Sequence, residues 1–126
     1  MIAYVAAPID FDPQGRVAQI RDHTIETLRK RGYWVYDPSS AWKAPTEFKS
    51  DGSVQEGNWG ALDVADLVVC ILMRDVFTIG TVLEMAYTKM NRPMTDLFVV
   101  GDIGNSNISL DYLEVPVYES IEVALS

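Results

Sequence analysis

No glycine-rich phosphate loop occurs in this chain. Neither Gly-x-Gly-x-x-Gly nor Gly-x-x-x-x-Gly-Lys-Ser/Thr is present, so the common dinucleotide and P-loop readings lack the backbone cradle they require. Cysteine and histidine occur once each, as Cys70 and His23. A lone cysteine allows no disulfide within the chain and no cysteine-based metal site. One histidine beside it falls short of the nitrogen and sulfur ligands that zinc takes. No serine sits in a nucleophile elbow, and His23 falls within a helical stretch, where it reads as a solvated or edge residue and not a base. Cationic residues are scarce: Lys and Arg number 10 against 18 Asp and Glu, for a net charge of −8 and a sequence pI near 4.4. A surface of that sign repels a polyanion, which argues against a nucleic-acid polymer as partner. A small anion can still be held locally at a helix N-terminus. Long apolar runs are also missing. The longest, "LVVCILM" at 67–73, is too short to cross a bilayer. "MIAYVAAPID" has no charged region ahead of its apolar residues and does not read as a signal peptide. No membrane partner is expected, and the cytoplasm is the default compartment.

What is present suits one globular domain over residues 1–126, with 48% hydrophobic residues and no room for a second core. "IAYVAA" reads as a buried strand stopped by Pro8. After the loop "IDFDPQG", a helix with Val17, Ile20 and Leu28 on its apolar stripe runs to about Arg31, and Gly32 ends it. "YWVYD" is a second strand closed by Pro38. The polar stretch "PSSAWKAPTEFKSDGSVQEG" reads as a loop of about twenty residues, a length that is unusual in a small domain and often functional. A short helix around "NWGALDVA" leads to the strand "LVVCILM", in which Cys70 reads as a small core hydrophobe. A helix from near Thr81 to before Pro93, the strand "LFVV", a strand in "VPVY" and a terminal helix in "ESIEVAL" complete the chain.

Strands that alternate with helices, several of them apolar throughout, predict a mainly parallel sheet of five strands covered on both faces. This is a three-layer α/β fold of flavodoxin/Rossmann type. Ligands of such sheets bind outside the carboxyl ends of the strands, at a topological switch point. The loops "PIDFD", "DPSSAW" and "RDVFTIGT" should therefore share one rim. Glu84 is placed in the first turn of the helix that leaves this rim. Thr81-Val82-Leu83-Glu84 also has the pattern of a capping box, in which Thr81 and Glu84 satisfy backbone N–H groups. A rim carboxylate has another use: it can attack an anomeric carbon as a base departs, storing the sugar as a glycosyl ester.

Four segments in order, "AYVAAPI", "GALDVADLVVCIL", "GTVLEMAY" and "NSNISL", give the chain a resemblance that spans nearly its whole length. It resembles the nucleoside 2-deoxyribosyltransferases and their relatives that hydrolyse nucleoside 5′-monophosphates. The resemblance implies that Glu84 is the nucleophile and that Tyr4 hydrogen-bonds it. Substrate binding would fall to Ala7, Pro8, Ile9 and Asp10 of the first loop, to Asn58, to Thr78 with Gly80 and Thr81, and to Asn107 reaching into a neighbouring subunit's site. It implies no cofactor and no metal, a nucleoside or nucleotide as substrate, a free nucleobase as acceptor, and a homo-oligomer with shared sites.

Two positions depart from the family pattern. Thr78 stands six residues before Glu84, where many members carry an aspartate. A hydroxyl there suits a 5′-phosphate, which a carboxylate would repel, and so favours a nucleotide N-glycosidase as the alternative. Asn58 stands where the family has an aspartate near the departing base, and an amide cannot protonate that base. Asp10 or Asp12 would then supply the proton, the leaving group would need little help, or the chain would be a weakened nucleotide-binding sensor. Trp42, Trp59, Phe11 and Phe77 are candidates for stacking on a base. Asp66 is expected to stabilise the turn into the third strand.

Overall fold

The computed structural model describes residues 1–8, 15–38, 51–73, 79–102 and 114–126. Five parallel strands, β1 (Ile2–Ala6), β2 (Trp34–Tyr36), β3 (Leu67–Ile71), β4 (Asp96–Val100) and β5 (Val117–Tyr118), form one sheet in the order β2-β1-β3-β4-β5. The helices are α1 (Arg16–Lys30), α2 (Asp51–Val64), α3 (Ile79–Asn91) and α4 (Ile121–Leu125).

Strict alternation of side chains divides the core into two layers. Ala3 and Val5 of β1, Val69 and Ile71 of β3, and Phe98 and Val100 of β4 pack with Val17, Ile25 and Leu28 of α1 and Ile121 of α4. Tyr4 and Ala6, Val68 and Cys70, and Leu97 and Val99 pack on the other face with Leu62 of α2 and Met85 of α3. Both faces of β3 are fully buried, which is why that strand is a continuous apolar run and not an alternating one. The chain starts in the middle of the sheet, moves outward to β2, then returns past β1 to β3. The switch point therefore lies between the carboxyl ends of β1 and β3.

Two boundaries differ from expectation. Residues 51–57, read as the end of a long loop, form the first half of α2. Helix α3 begins at Ile79 and not near Thr81, so Glu84 is its sixth residue and lies in the second turn. Thr81 is consequently inside the helix, and its buried hydroxyl makes no hydrogen bond. The capping-box expectation fails for that reason: the capping position is the residue before Ile79, and the pair begins three residues later, nearly a full turn inside the helix.

The amino rim is pinned by polar contacts that keep the switch-point strands in register. The Asp66 carboxylate accepts from the Ile2 amide at 2.7 Å, and the Asp66 amide donates to the Ile2 carbonyl at 2.8 Å. Asp66 thus ties the start of β3 to the start of β1, as the sequence suggested. Arg92 donates to the Leu62 and Ala65 carbonyls at 2.8 and 2.7 Å, which caps the end of α2 with a cation. At the opposite rim β3 and β4 close tightly: a Cβ on Gly101, whose φ is +143°, would stand 2.0 Å from the Leu72 carbonyl oxygen. His23 pairs with Glu122 of α4, with both side chains exposed, so it joins α1 to the terminal helix and takes no part in the rim.

Candidate active site

Glu84 projects from α3 into the face of the sheet formed by Tyr4 and Cys70. Only 6% of it is exposed. The helix is anchored at this turn by the Thr88 hydroxyl, which donates to the Glu84 carbonyl at 2.9 Å. Burial raises the Glu84 carboxyl from its ordinary 4.5 to about 7, and the nearby Tyr4 hydroxyl pulls in the opposite direction by favouring the carboxylate. The group is therefore divided between acid and carboxylate at neutral pH.

Its neighbours stay neutral. Burial first, and then the charge of Glu84, push the Tyr4 phenol far above its usual range. The same two causes, in the same order, raise the Cys70 thiol, which is fully buried. Cys70 is thus the core hydrophobe expected and not a nucleophile, because a thiol held protonated is inert. Tyr4 can act on Glu84 only as a neutral hydroxyl. Although the two groups influence each other's titration, the buried Tyr4 hydroxyl makes no hydrogen bond of ordinary geometry. Such contacts are often long before a substrate complex tightens them.

Two further groups complete the described part of the site. Asn58, 4% exposed, lies halfway along α2, where its Oδ1 accepts from the Tyr36 hydroxyl at 3.1 Å. Tyr36 is the register partner of Tyr4 on the adjacent strand, and the two rings stack with centroids 5.3 Å apart and planes 16° apart. Burial, then Glu84, then Asp37 raise the Tyr36 phenol. Sequence reasoning passed over Tyr36, since a tyrosine in a short strand reads as an ordinary β-former. The available signal was a tyrosine in each of the first two strands, mid-strand in β1 and at the end of β2, which the parallel register places side by side.

The structure thus brings together Tyr4, Asn58 and Glu84. Ala7 and Pro8 follow the carboxyl end of β1, and Gly80 and Thr81 lie in the first turn of α3. Among the described residues, no atom beyond the helix's own backbone and the chain neighbours lies within 4 Å of the point where a Cβ on Gly80 would stand. Ile9, Asp10, Phe11, Asp12, Trp42, Phe77, Thr78 and Asn107 lie outside the described residues. The Trp59 ring stacks on Tyr87 of α3 with centroids 5.2 Å apart and planes 2° apart, which covers one face of the indole. Among the described residues, no group of three or more His, Cys, Asp or Glu side chains is placed to hold a metal ion, and no helix is long and apolar enough to cross a membrane.

Comparison with solved structures supports the architecture. The 2-deoxyribosyltransferase of the psychrotolerant bacterium Bacillus psychrosaccharolyticus superposes with a TM-score of 0.79 over 98% of this chain and 90% of that one, at 16% sequence identity. No protein-family model and no curated protein sequence matches the chain. At so low an identity the likeness establishes a shared fold, that of a 2-deoxyribosyltransferase, and it is the fold that the four sequence segments pointed to.

Proposed function

We propose that this protein cleaves the N-glycosidic bond of a nucleoside or nucleotide, with Glu84 as the nucleophile. One observation carries the reading: the one buried carboxyl among the described residues, raised to about 7, stands beside a neutral tyrosine hydroxyl at the switch point of the sheet. The fold shared with a 2-deoxyribosyltransferase supports it. A carboxylate oxygen of Glu84 attacks C1′ of the sugar. The bond to the base breaks, its electron pair leaves with the base, and a glycosyl ester remains on Glu84. A nitrogen of a second base, or a water oxygen, then attacks C1′ and releases the carboxylate. The first outcome is transfer and the second is hydrolysis.

Burial suits this cycle. A poorly solvated carboxylate is a better nucleophile, and with its acid form near neutrality it is also an adequate leaving group. Tyr4 orients the carboxylate and withdraws charge from the oxygen that is not attacking. Asn58 hydrogen-bonds the base without protonating it. The proton then comes from Asp10 or Asp12, or the base leaves without one.

Hydrolysis of a nucleoside 5′-monophosphate is favoured by the first turn of α3. The buried Thr81 hydroxyl has no hydrogen-bond partner, and among the described residues no side chain crowds the Cβ position of Gly80. A hydroxyl and helix N–H groups together suit a phosphate. Thr78→Asp would then lose monophosphate activity through charge repulsion. We further assign the protein to a homo-oligomer in which Asn107 enters a neighbouring subunit's site. Val82, Leu83 and Met90 form an exposed apolar stripe on α3, with Met90 82% exposed, and a second subunit would cover it.

Incubation with a panel of nucleosides and 5′-monophosphates, with and without a free base, tests the reading. Base release without acceptor indicates hydrolysis, and base exchange indicates transfer. Binding with neither would overturn the enzymatic reading in favour of a sensor.

A further inference from the structure

Tyr36 touches both polar arms of the site. Its ring lies against Tyr4, 5.3 Å between centroids, and Tyr4 in turn faces Glu84. Its hydroxyl donates to Asn58 Oδ1 at 3.1 Å. It also sits over the backbone of α2, since a Cβ on Gly57 would stand 3.9 Å from the Tyr36 oxygen. Two elements that are far apart in sequence, β1 and α2, pack on each other directly and are also bridged by one side chain on β2.

We propose that Tyr36 is the positioning residue of this site: its ring fixes the direction of the Tyr4 hydroxyl toward Glu84, and its hydroxyl fixes the orientation of the Asn58 amide. The proposal rests on the reading of Glu84 as nucleophile. A stacked ring restricts the tilt of its partner, and Tyr4 has no hydrogen bond of its own to hold its hydroxyl. The amide has a definite polarity as well. With Oδ1 accepting from Tyr36, the donor group of Asn58 is its Nδ2–H2. The ligand atom that pairs with Asn58 is then an acceptor, as a carbonyl oxygen or an unprotonated ring nitrogen of a base would be.

Two variants separate the two contacts. Tyr36→Phe keeps the stack and removes the hydroxyl. Tyr36→Leu removes both. Tyr36→Phe is expected to raise KM by roughly tenfold with little change in kcat, the size of one lost orienting hydrogen bond. In an Asn58→Ala background the same change should add nothing, because its route is gone. Tyr36→Leu should lower kcat, and in a Tyr4→Phe background its effect on kcat should shrink. A purely structural role would lower Tm and leave the effects additive.

A second readout needs no turnover. In the ¹H–¹⁵N spectrum, the side-chain amide of Asn58, identified by its loss in Asn58→Ala, should shift in Tyr36→Phe and exchange its protons faster with water. Additive kinetic effects together with an unmoved Asn58 amide signal would overturn the proposal. Should the wild-type protein release no base from any substrate, the catalytic reading fails, and the amide signal alone still decides whether Tyr36 holds Asn58.

Discussion

A carboxyl group that is protonated in the folded protein at a pH where it is ionised in the unfolded chain weakens the fold as pH rises. Glu84 is such a group, moved from 4.5 to about 7 by burial. Below 4.5 it is protonated in both states. Between 4.5 and about 7 the unfolded chain loses the proton first, so stability falls across that window and is lower by on the order of 3 kcal/mol above it. Glu84→Gln cannot ionise. It should match the wild type near pH 4.5 and exceed it in Tm by several degrees at pH 8, measured by thermal unfolding at both pH values. An equal difference at both would show that Glu84 is not desolvated. On the proposed mechanism the same ionisation would govern reactivity: kcat/KM should fall on the acid side with a midpoint near 7, since only a carboxylate can attack. Tyr4→Phe removes one orienting donor, and a loss of about fivefold in kcat is expected from a contribution near 1 kcal/mol. Glu84 was proposed from sequence because its Gly-Thr-x-x-Glu segment resembles that of the deoxyribosyltransferases; local pattern alone read it as a helix cap. Tyr36 could not, because its importance arises from register opposite Tyr4.

At the scale of elements, the closure of β3 on β4 sets the carboxyl rim. Gly101 stands at that closure with its amide donating to the Tyr118 carbonyl at 3.0 Å, while the Leu72 amide donates to the Val100 carbonyl at 3.2 Å. The backbone is held on both sides and cannot yield to a side chain. Gly101→Ala should therefore destabilise the fold on the order of 3 kcal/mol, combining a clash with the Leu72 carbonyl and a disfavoured φ; urea unfolding would measure it, and a loss below the wild-type error would refute the close approach.

Strands β1, β3 and β4 were readable from sequence because burial on both faces makes them nearly continuous apolar runs. The first half of α2 was not. Gly52, Ser53 and Gly57 are weak helix formers, so local propensity argued for a loop where the chain forms a helix. The start of α3 was misplaced because a Thr-x-x-Glu pattern signals a cap wherever it occurs, and here it lies inside the helix.

At the scale of the whole molecule, the described site supplies a carboxyl, two tyrosines and an amide, few groups for holding a sugar in line for attack. Positioning accounts for much of the rate in such displacements, and a neighbouring subunit is the proposed source of the rest. Mixing inactive Glu84→Ala with inactive Asn107→Ala chains should restore part of the activity, because re-assorted oligomers contain one intact site. Failure to recover despite demonstrated subunit exchange, or a fully active monomer, would remove Asn107 from the site. Met90→Lys should weaken self-association if the α3 stripe is the contact, as seen by sedimentation.

The central claim is that Glu84 is the nucleophile, and base release by folded Glu84→Gln protein tests it most directly. Gln keeps the shape and hydrogen-bonding capacity of the side chain but cannot form the glycosyl ester. The expected result is an intact fold, by circular dichroism and thermal unfolding, with turnover reduced by several orders of magnitude on the best substrate of the panel. Base release at a near-normal rate from that folded variant would contradict the account.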